Sequence, residues 1–310
     1  MKVINLIHPG ESECQYEVIT FPDGELHLKF NEELNRKEDY MVLCRITNSD
    51  ELFLLMQTAN ILNNIDVLWE LRILYLMGMR MDRIISFREP FTLKVLTNII
   101  NGLGATNVTV FHPHSDRTLY ELKNCTTCDG YSNELHSVEN GIYNPTIPNT
   151  AICYPDAGAK KRYLIECGFE YKDAQYKPDV ITLKKVRDTE TGAIKSIDFD
   201  MTDINPFTTG ANHIVYDTIT VVDDLCDSGG TFIGAAELLR KTFPEAELNV
   251  FVRHMVNPKG IINLSENYDH VFFTNSYRDW DMLLFQLGAM SKPLPNNVHI
   301  IDIASEMSKV

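Results

Sequence analysis

Short apolar runs and helix-spaced apolar positions alternate along almost the whole chain. Short apolar runs bounded by turn residues predict strands, which lie at residues 2–7, 16–20, 25–30, 40–46, 67–77, 108–111, 151–154, 180–183, 218–222, 248–252 and 271–274. Apolar residues at intervals of three and four predict helices, at residues 50–60, 90–101 and 233–241. This alternation favours an α/β fold with mostly parallel central sheets.

A long polar segment divides this pattern into two halves. Residues 124–149 are rich in Asn, Thr, Pro and Gly and show no firm periodicity. With 310 residues, the chain is long enough for two medium α/β domains, each with its own core. We therefore predict two tandem domains, at residues 1–147 and 148–310.

Composition and charge disfavour several classes of function. The formal net charge of −15 argues against a general nucleic-acid or membrane surface. No apolar stretch reaches transmembrane length, and the first residues lack the features of a signal peptide. Seven scattered cysteines fit reduced thiols, and the lone Cys125/Cys128 pair is better explained as a coincidence in a loop than as a metal site. We expect a soluble cytoplasmic protein.

The segment from Thr218 to Lys241 combines a strand, a tight loop and a helix. Glycines and hydroxyls between the strand and the helix could bind a phosphate at the helix N-terminus. Carboxylates would repel a phosphate, so the two acids at the strand end suit a neutral group such as the hydroxyls of a ribose. The alternative is an ordinary connection in which an Asp or Ser caps the helix. The residues of this segment with candidate roles are Asp223, Asp224, Asp227, Ser228, Gly229, Gly230 and Thr231.

Further charged clusters lie after other predicted strands. Residues 156–162 place one acid before three cations at a helix start, where cations call for an anion. Residues 80–90 hold three arginines, which suit a polyphosphate, together with Asp82 and Glu89. Residues 112–116 include two histidines. Residues 184–192 predict a cationic hairpin or loop. Each cluster has an ordinary alternative, as a solvated charged loop or a structural hydrogen-bonding group.

Taken together, these motifs resemble the ribose-phosphate diphosphokinase family, whose members are also called phosphoribosyl pyrophosphate (PRPP) synthetases. The motifs follow the family's order over nearly the whole chain. The resemblance implies two tandem phosphoribosyltransferase-type domains and Mg²⁺ as the cofactor. It also implies ATP and a ribose phosphate as substrates, and a homo-oligomer that is a dimer or a hexamer.

The first half carries the family's ATP motifs. Residues 21–25 resemble an F-x-D/N-x-E loop that receives the ATP base from a neighbouring subunit, and residues 80–90 resemble an R-x-D…R-x-P stretch. The residues implied for ATP binding are Phe21, Asp23, Glu25, Arg80, Asp82 and Arg88. Residues 112–115 resemble a D-L-H-x stretch, which implies that His114 contacts the metal and ATP.

The second half carries the metal, catalytic and acceptor motifs. Residues 154–162 resemble an S-P-D-A-G segment, which implies Asp156 as a second metal-associated residue. Lys185 and Arg187 match the K-x-R of the family's catalytic flexible loop, so these two residues and His114 are the implied catalytic residues. Residues 223–231 resemble the D-D-x-x-D-T-G-G-T loop that holds ribose 5-phosphate.

Several positions depart from the family pattern. His112 stands in place of an acid, Met81 in place of a Gln, and residues 253–259 replace a T-H-G-x-F-S segment near the ribose site. The chain also stops short of the family's C-terminal tail. The simplest acceptor is ribose 5-phosphate. The open alternatives are ADP-ribose as the acceptor, in an NAD-rebuilding reaction, and a non-catalytic regulatory paralogue.

Overall fold

The computed structural model describes residues 1–128, 149–161, 178–187, 194–200, 215–280 and 294–309. Packing divides the chain into two units, residues 1–131 with 302–310, and residues 132–301. The predicted boundary between residues 147 and 148 lies outside the described residues and stays a prediction. Residues 302–310, which the sequence groups with the second domain, pack with the first unit.

Strands and helices alternate through both units, which confirms the predicted α/β class. The strands are β1 (Lys2–Asn5), β2 (Tyr16–Thr20), β3 (Leu26–Phe30), β4 (Tyr40–Ile46), β5 (Trp69–Leu76), β6 (Val108–Phe111), β7 (Cys125–Cys128), β8 (Thr150–Tyr154), β9 (Asp179–Arg187), β10 (Ile194–Phe199), β11 (Thr218–Cys226), β12 (Glu247–Met255), β13 (His270–Thr274) and β14 (Val298–Ile301). The helices are α1 (Ser49–Asn64), α2 (Thr92–Asn101), α3 (Arg117–Glu121), α4 (Gly230–Thr242), α5 (Pro258–Asn267) and α6 (Ile303–Ser308). Within the described ranges, no helix combines the length and apolar character needed to cross a membrane.

The first unit is built on a five-stranded parallel sheet in the order β1-β4-β5-β6-β7. Every residue of β4 is buried, which is the usual state of a central strand in a parallel sheet. The next helix along the chain, α1, has Asn48 as its N-cap, whose side chain accepts hydrogen bonds from the backbone N–H groups of Asp50 and Glu51.

Strands β2 and β3 form an antiparallel hairpin that packs on α1, and Gln57 of this helix binds the backbone of β3. Gln57 Nε2 donates to the Leu26 carbonyl at 2.7 Å, and its Oε1 accepts from the Leu28 N–H at 2.8 Å. Both groups of the amide therefore bind the backbone of β3. Leu28 of β3 is buried, whereas the hairpin tip at residues 21–25 is exposed.

The C-terminal helix α6 packs with the first unit through a contact with β5. Arg72, on β5, donates from Nη1 to the carbonyl oxygens of Met307 and Lys309, at 2.8 and 2.6 Å. These acceptors lie at the helix C-terminus, where carbonyl groups lack partners within the helix and a cation is favoured.

The second unit contains a seven-stranded sheet in the order β10-β9-β8-β11-β12-β13-β14. All its strand pairs are parallel except β9 with β10. Phe232 and Leu239 of α4 and Leu264 of α5 pack with Val221 and Val250 of the central strands in one buried cluster. This packing places the N-termini of α4 and α5 after the C-terminal ends of β11 and β12.

Three strands extend by three or more residues beyond the predicted apolar runs. β11 continues to Cys226 and β12 to Met255 because these two strands pair with each other to their ends, and β9 continues to Arg187 because it pairs with β10. Lys185 and Arg187 therefore lie on a hairpin strand, and residues 188–192 of the predicted cationic segment lie outside the described residues. The elements that the pattern did not predict are β7, β10, β14, α3, α5 and α6.

The prediction that the Cys125/Cys128 pair lies in a loop is wrong, because both residues lie on β7. Residues three apart on a strand point to opposite faces, so the two thiols do not converge on one ion. Burial raises the pKa of the Cys125 thiol to about 11, which keeps it protonated at neutral pH. Throughout the described part of the chain, no three His, Cys, Asp or Glu side chains form a group that could hold a metal.

Candidate functional site

The candidate phosphate site of the second unit follows β11. Asp223 and Asp224 lie on β11 itself and not in the loop, and they are only 8% and 2% exposed. The Asp224 N–H donates to Asp223 Oδ1 at 2.9 Å. Asp227 and Ser228 are exposed in the loop that follows. The structure thus brings two buried acids and an exposed loop to the same end of one central strand.

Helix α4 begins at this loop without a side-chain cap. Its N-cap residue is Gly229, with a φ of +86°, and no side chain accepts a hydrogen bond from the first turn. The alternative in which Asp227 or Ser228 caps the helix is therefore wrong. A Cβ on Gly230 would meet no atom within 4 Å. An uncapped first turn with open space beside Gly230 suits an anion.

Helix α5 supports the same loop from its other side. Asn257 Nδ2 donates to Asp227 Oδ1 at 2.8 Å, and Asn263 Nδ2 donates to the Ser228 carbonyl at 2.7 Å. A Cβ on Gly260 would overlap the Asp227 carbonyl oxygen. Glycine at this position therefore permits the close approach of helix and loop.

Lys185 and Asp156 form an ion pair in the second unit. Lys185 Nζ lies 2.7 Å from Asp156 Oδ2, and the two side chains are 12% and 35% exposed. Asp156 Oδ1 also accepts from the N–H groups of Gly158 and Ala159, both at 2.9 Å, at the start of a helical turn. One carboxylate thus caps a helix and holds a predicted catalytic lysine. Arg187 is the last residue of the same strand.

Asp82 is the centre of the charged cluster in the first unit. Arg83 donates from Nε and Nη2 to its two carboxylate oxygens, at 2.7 and 3.0 Å. This guanidinium holds the pKa of Asp82 below its usual value, and the Ser115 hydroxyl and the charge of His114 act in the same direction against partial burial. The structure therefore joins the loop after β5 to the loop after β6, at the carboxyl edge of a parallel sheet.

The other predicted ATP residues of the first unit are exposed. Arg80 and Arg88 lie on the surface of the loop after β5. His114 is partly exposed, whereas His112 is 3% exposed and has a φ of +40°. The hydrogen bonds of the β2–β3 hairpin connect it to α1, and they leave its tip residues exposed, namely Phe21, Asp23 and Glu25.

Sequence reasoning did not identify the role of α5 in the site. Asn257 and Asn263 bind the loop from positions 30 and 35 residues away. A local signal was present, because an Asn followed by a Pro is typical of a helix N-cap and first turn. The contact of this helix with the loop was not visible in that signal.

Known proteins resemble the chain over most of its length. A ribose-phosphate pyrophosphokinase of Sulfolobus acidocaldarius is 26% identical over 227 residues, which cover 70% of this chain and 69% of the relative. A protein of the same name from Pyrococcus abyssi is 26% identical over 300 residues, covering 89% of this chain and 93% of the relative. No protein-family model matches the chain.

The fold also resembles a solved structure across both units. The crystal structure of phosphoribosylpyrophosphate synthetase from Mycobacterium smegmatis aligns with a TM-score of 0.72 and 14% identity, covering 99% of this chain and 97% of that one. The predicted architecture of two tandem α/β domains with mostly parallel sheets is confirmed by this likeness.

Proposed function

We propose that this chain, which belongs to the ribose-phosphate pyrophosphokinase family, transfers the β,γ-diphosphate of ATP to the 1-hydroxyl of a 5-phosphorylated ribose. The simplest acceptor is ribose 5-phosphate, which gives PRPP and AMP. The observation that carries this proposal is the start of α4, whose first turn has no side-chain cap and follows two buried acids on β11.

The acceptor is assigned to residues of the second unit. The first-turn N–H groups of α4, with Ser228 and Thr231, would bind the 5-phosphate. Gly230 leaves the space that a dianion needs, because a Cβ there has no neighbour within 4 Å. Asp223, Asp224 and Asp227 would accept hydrogen bonds from ribose hydroxyls, which orients the sugar without a second positive group.

ATP is assigned to residues of the first unit. Arg80 and Arg88 are exposed guanidinium groups that can bind phosphate oxygens in a forked geometry. Asp82 is held by Arg83 and would orient the loop, while the exposed Phe21, Asp23 and Glu25 suit the base of a nucleotide bound by a second copy. This last assignment makes a homo-oligomer, a dimer or a hexamer, part of the proposal.

The donor set fits a magnesium ion that arrives with ATP. Mg²⁺ prefers oxygen ligands and usually keeps several waters beside one or two carboxylates and the substrate phosphates. Asp156 supplies such a carboxylate, although its oxygens already accept hydrogen bonds from the N–H groups of Gly158 and Ala159 and from Lys185 Nζ. In the second unit, Asp156 would hold such an ion. In the first unit, His114 would contact a metal ion or the phosphate oxygens of ATP. The bound ion would neutralise charge on the polyphosphate.

The reaction needs little covalent work from the protein. The ribose O1 forms a bond to the β-phosphorus as the bond from that phosphorus to the oxygen of AMP breaks, and the O1 proton is released. Lys185 and Arg187 would neutralise the charge that develops on the transferred diphosphate and on departing AMP. A non-catalytic paralogue is less well supported, because these cations and Asp156 are all present.

ADP-ribose is a second candidate acceptor, favoured by the position of Lys259. This residue is exposed on the first turn of α5, and its N–H donates to Asn257 Oδ1, the same side chain that binds Asp227. A cation beside the phosphate loop suits the second phosphate of a diphosphate ester. The distal ribose of ADP-ribose also carries a 5-phosphoryl group and a free 1-hydroxyl.

The deciding experiment incubates the full chain with Mg-ATP and either ribose 5-phosphate or ADP-ribose. Mass spectrometry follows AMP and the diphosphorylated sugar. AMP release with ribose 5-phosphate supports the first candidate. A preference for ADP-ribose that Lys259→Gln reduces supports the second. If neither acceptor gives AMP, the proposed enzyme activity is wrong.

A further inference from the structure

We propose that Asn257 is a positioning residue of the acceptor site, which holds the Asp227 carboxylate in place for the ribose. This inference rests on the proposed function, because it assumes that the loop after β11 binds the acceptor. Asn257 itself is assigned no contact with the substrate. It acts through Asp227, whose Oδ1 accepts from its Nδ2 at 2.8 Å.

The orientation of the Asn257 amide is determined by its two partners. The Asp227 carboxylate can only accept a hydrogen bond, and the backbone N–H of Lys259 can only donate one. The amide nitrogen must therefore face Asp227, and the amide oxygen must face Lys259 at 3.0 Å. Since both ends are used, the rotamer is restricted and the carboxylate has a fixed donor.

The remainder of the loop is also connected to this part of the chain. The Val256 N–H donates to the Cys226 carbonyl at 3.0 Å, and Asn263 Nδ2 donates to the Ser228 carbonyl at 2.7 Å. Three consecutive residues, from the last residue of β11 into the loop, thus have a partner between Val256 and Asn263. The bond from Asn257 extends this support to an exposed side chain that would meet the acceptor.

Positioning matters here because Asp227 is negative and lies next to the proposed phosphate site. An unrestrained carboxylate could approach the first turn of α4 and compete with the phosphate for its N–H groups. A donor on α5, together with the positive end of that helix, stabilises the charge at its observed place. The loop is then arranged for the sugar before binding, which lowers the cost of ordering it.

A purely structural role would be capping α5, since Asn257 is its N-cap. Asn257→Asp separates the two roles, because Asp caps a helix as well as Asn but cannot donate to Asp227 and adds a like charge beside it. We expect an approximately tenfold higher KM for the acceptor, the loss expected for one hydrogen bond to a charged group. The KM for ATP should stay within twofold and the Tm should barely change.

Asn257→Ser is the second variant, because it keeps a capping oxygen and lacks the amide nitrogen. The matched control is Asn48→Asp, which makes the same change at the N-cap of α1. Acceptor KM, ATP KM and the Tm shift produced by saturating ribose 5-phosphate or ADP-ribose are measured for all four proteins. The acceptor-induced Tm shift reports binding without turnover.

A raised acceptor KM and a smaller acceptor-induced Tm shift in both Asn257 variants, with the control unchanged, would support the positioning role. Equal acceptor KM and equal Tm shifts in well-folded Asn257 variants would overturn it, while wild-type AMP release would leave the proposed function standing. If the wild type binds an acceptor without releasing AMP, the proposed reaction is wrong. The acceptor-induced Tm shifts of the Asn257 variants then test the positioning role alone. A wild type that neither binds nor turns over either acceptor overturns both.

Discussion

Replacing Lys185 with alanine tests the assigned chemistry most directly. Its Nζ lies 2.7 Å from Asp156 Oδ2, and its side chain is 12% exposed. In the proposed reaction this ammonium neutralises charge in the transition state. Removal of one such preorganised charge typically costs about 2.7–4 kcal/mol, which corresponds to a kcat lower by roughly 10²–10³-fold.

The same substitution should have a much smaller effect on stability. An exposed ion pair contributes about 0–1 kcal/mol, and breaking a fully buried one costs about 3–5 kcal/mol. Asp156 is 35% exposed and keeps its bonds to two backbone N–H groups, so we expect Lys185→Ala to lower the free energy of unfolding by about 1–2 kcal/mol. For a unit of this size, the corresponding fall in Tm is about 2–8 °C.

The assay compares steady-state AMP release with thermal unfolding for Lys185→Ala and Lys184→Ala. Lys184 is the matched control, because it is the adjacent lysine of β9, points to the other face and is exposed. We expect Lys184→Ala to keep kcat and Tm, and Lys185→Ala to lose kcat while ATP binding stays measurable. A Lys185→Ala kcat within threefold of wild type would refute the catalytic assignment.

Three further predictions address the acceptor loop, the first-unit cluster and the C-terminal helix. Gly260→Ala should lower the free energy of unfolding by about 1–3 kcal/mol, because the added Cβ overlaps a backbone carbonyl. Gly230→Ala should keep the Tm and raise the acceptor KM, and equal Tm values for the two variants would contradict this expectation. Because the pKa of Asp82 is lowered, its ionised carboxylate stabilises the fold above the ordinary Asp pKa, and this stabilisation is lost as pH falls through the folded pKa. The difference in free energy of unfolding between wild type and Arg83→Ala should therefore shrink between pH 6 and pH 3. If denaturant titrations give the same difference in free energy of unfolding at both pH values, the Asp82–Arg83 ion pair does not contribute as proposed. Arg72→Gln should speed amide hydrogen exchange in α6, and unchanged exchange would show that its two bonds to the helix end contribute nothing.

Much of the secondary structure was readable because its signals are local. The fully buried β4 is apolar at every position except Arg45, and α1 has a capping Asn followed by apolar residues at helical spacing. The glycines and hydroxyls after β11 predict a phosphate loop from local residue types alone. The short strand β7 carries no such pattern, since its polar sequence becomes a strand by pairing with β6.

The extent of β9 and β11 depended on strand pairing. Lys185 and Asp224 are polar residues that weaken a local strand signal, yet both lie on strands whose neighbours continue beside them. Pairing satisfies backbone groups whatever the side chains are, so a partner strand can extend a strand beyond its apolar core.

The order of strands and helices, the two-part organisation and the types of group available for chemistry were already encoded in local residue patterns. The contacts that arrange those groups were decided by the tertiary structure. Lys185 meets Asp156 across 29 positions, Asn257 meets Asp227 across 30, and Arg72 meets Met307 across 235. Strand order, register and the return of the chain end bring these pairs together, because side chains distant in sequence become neighbours only when the elements that carry them pack.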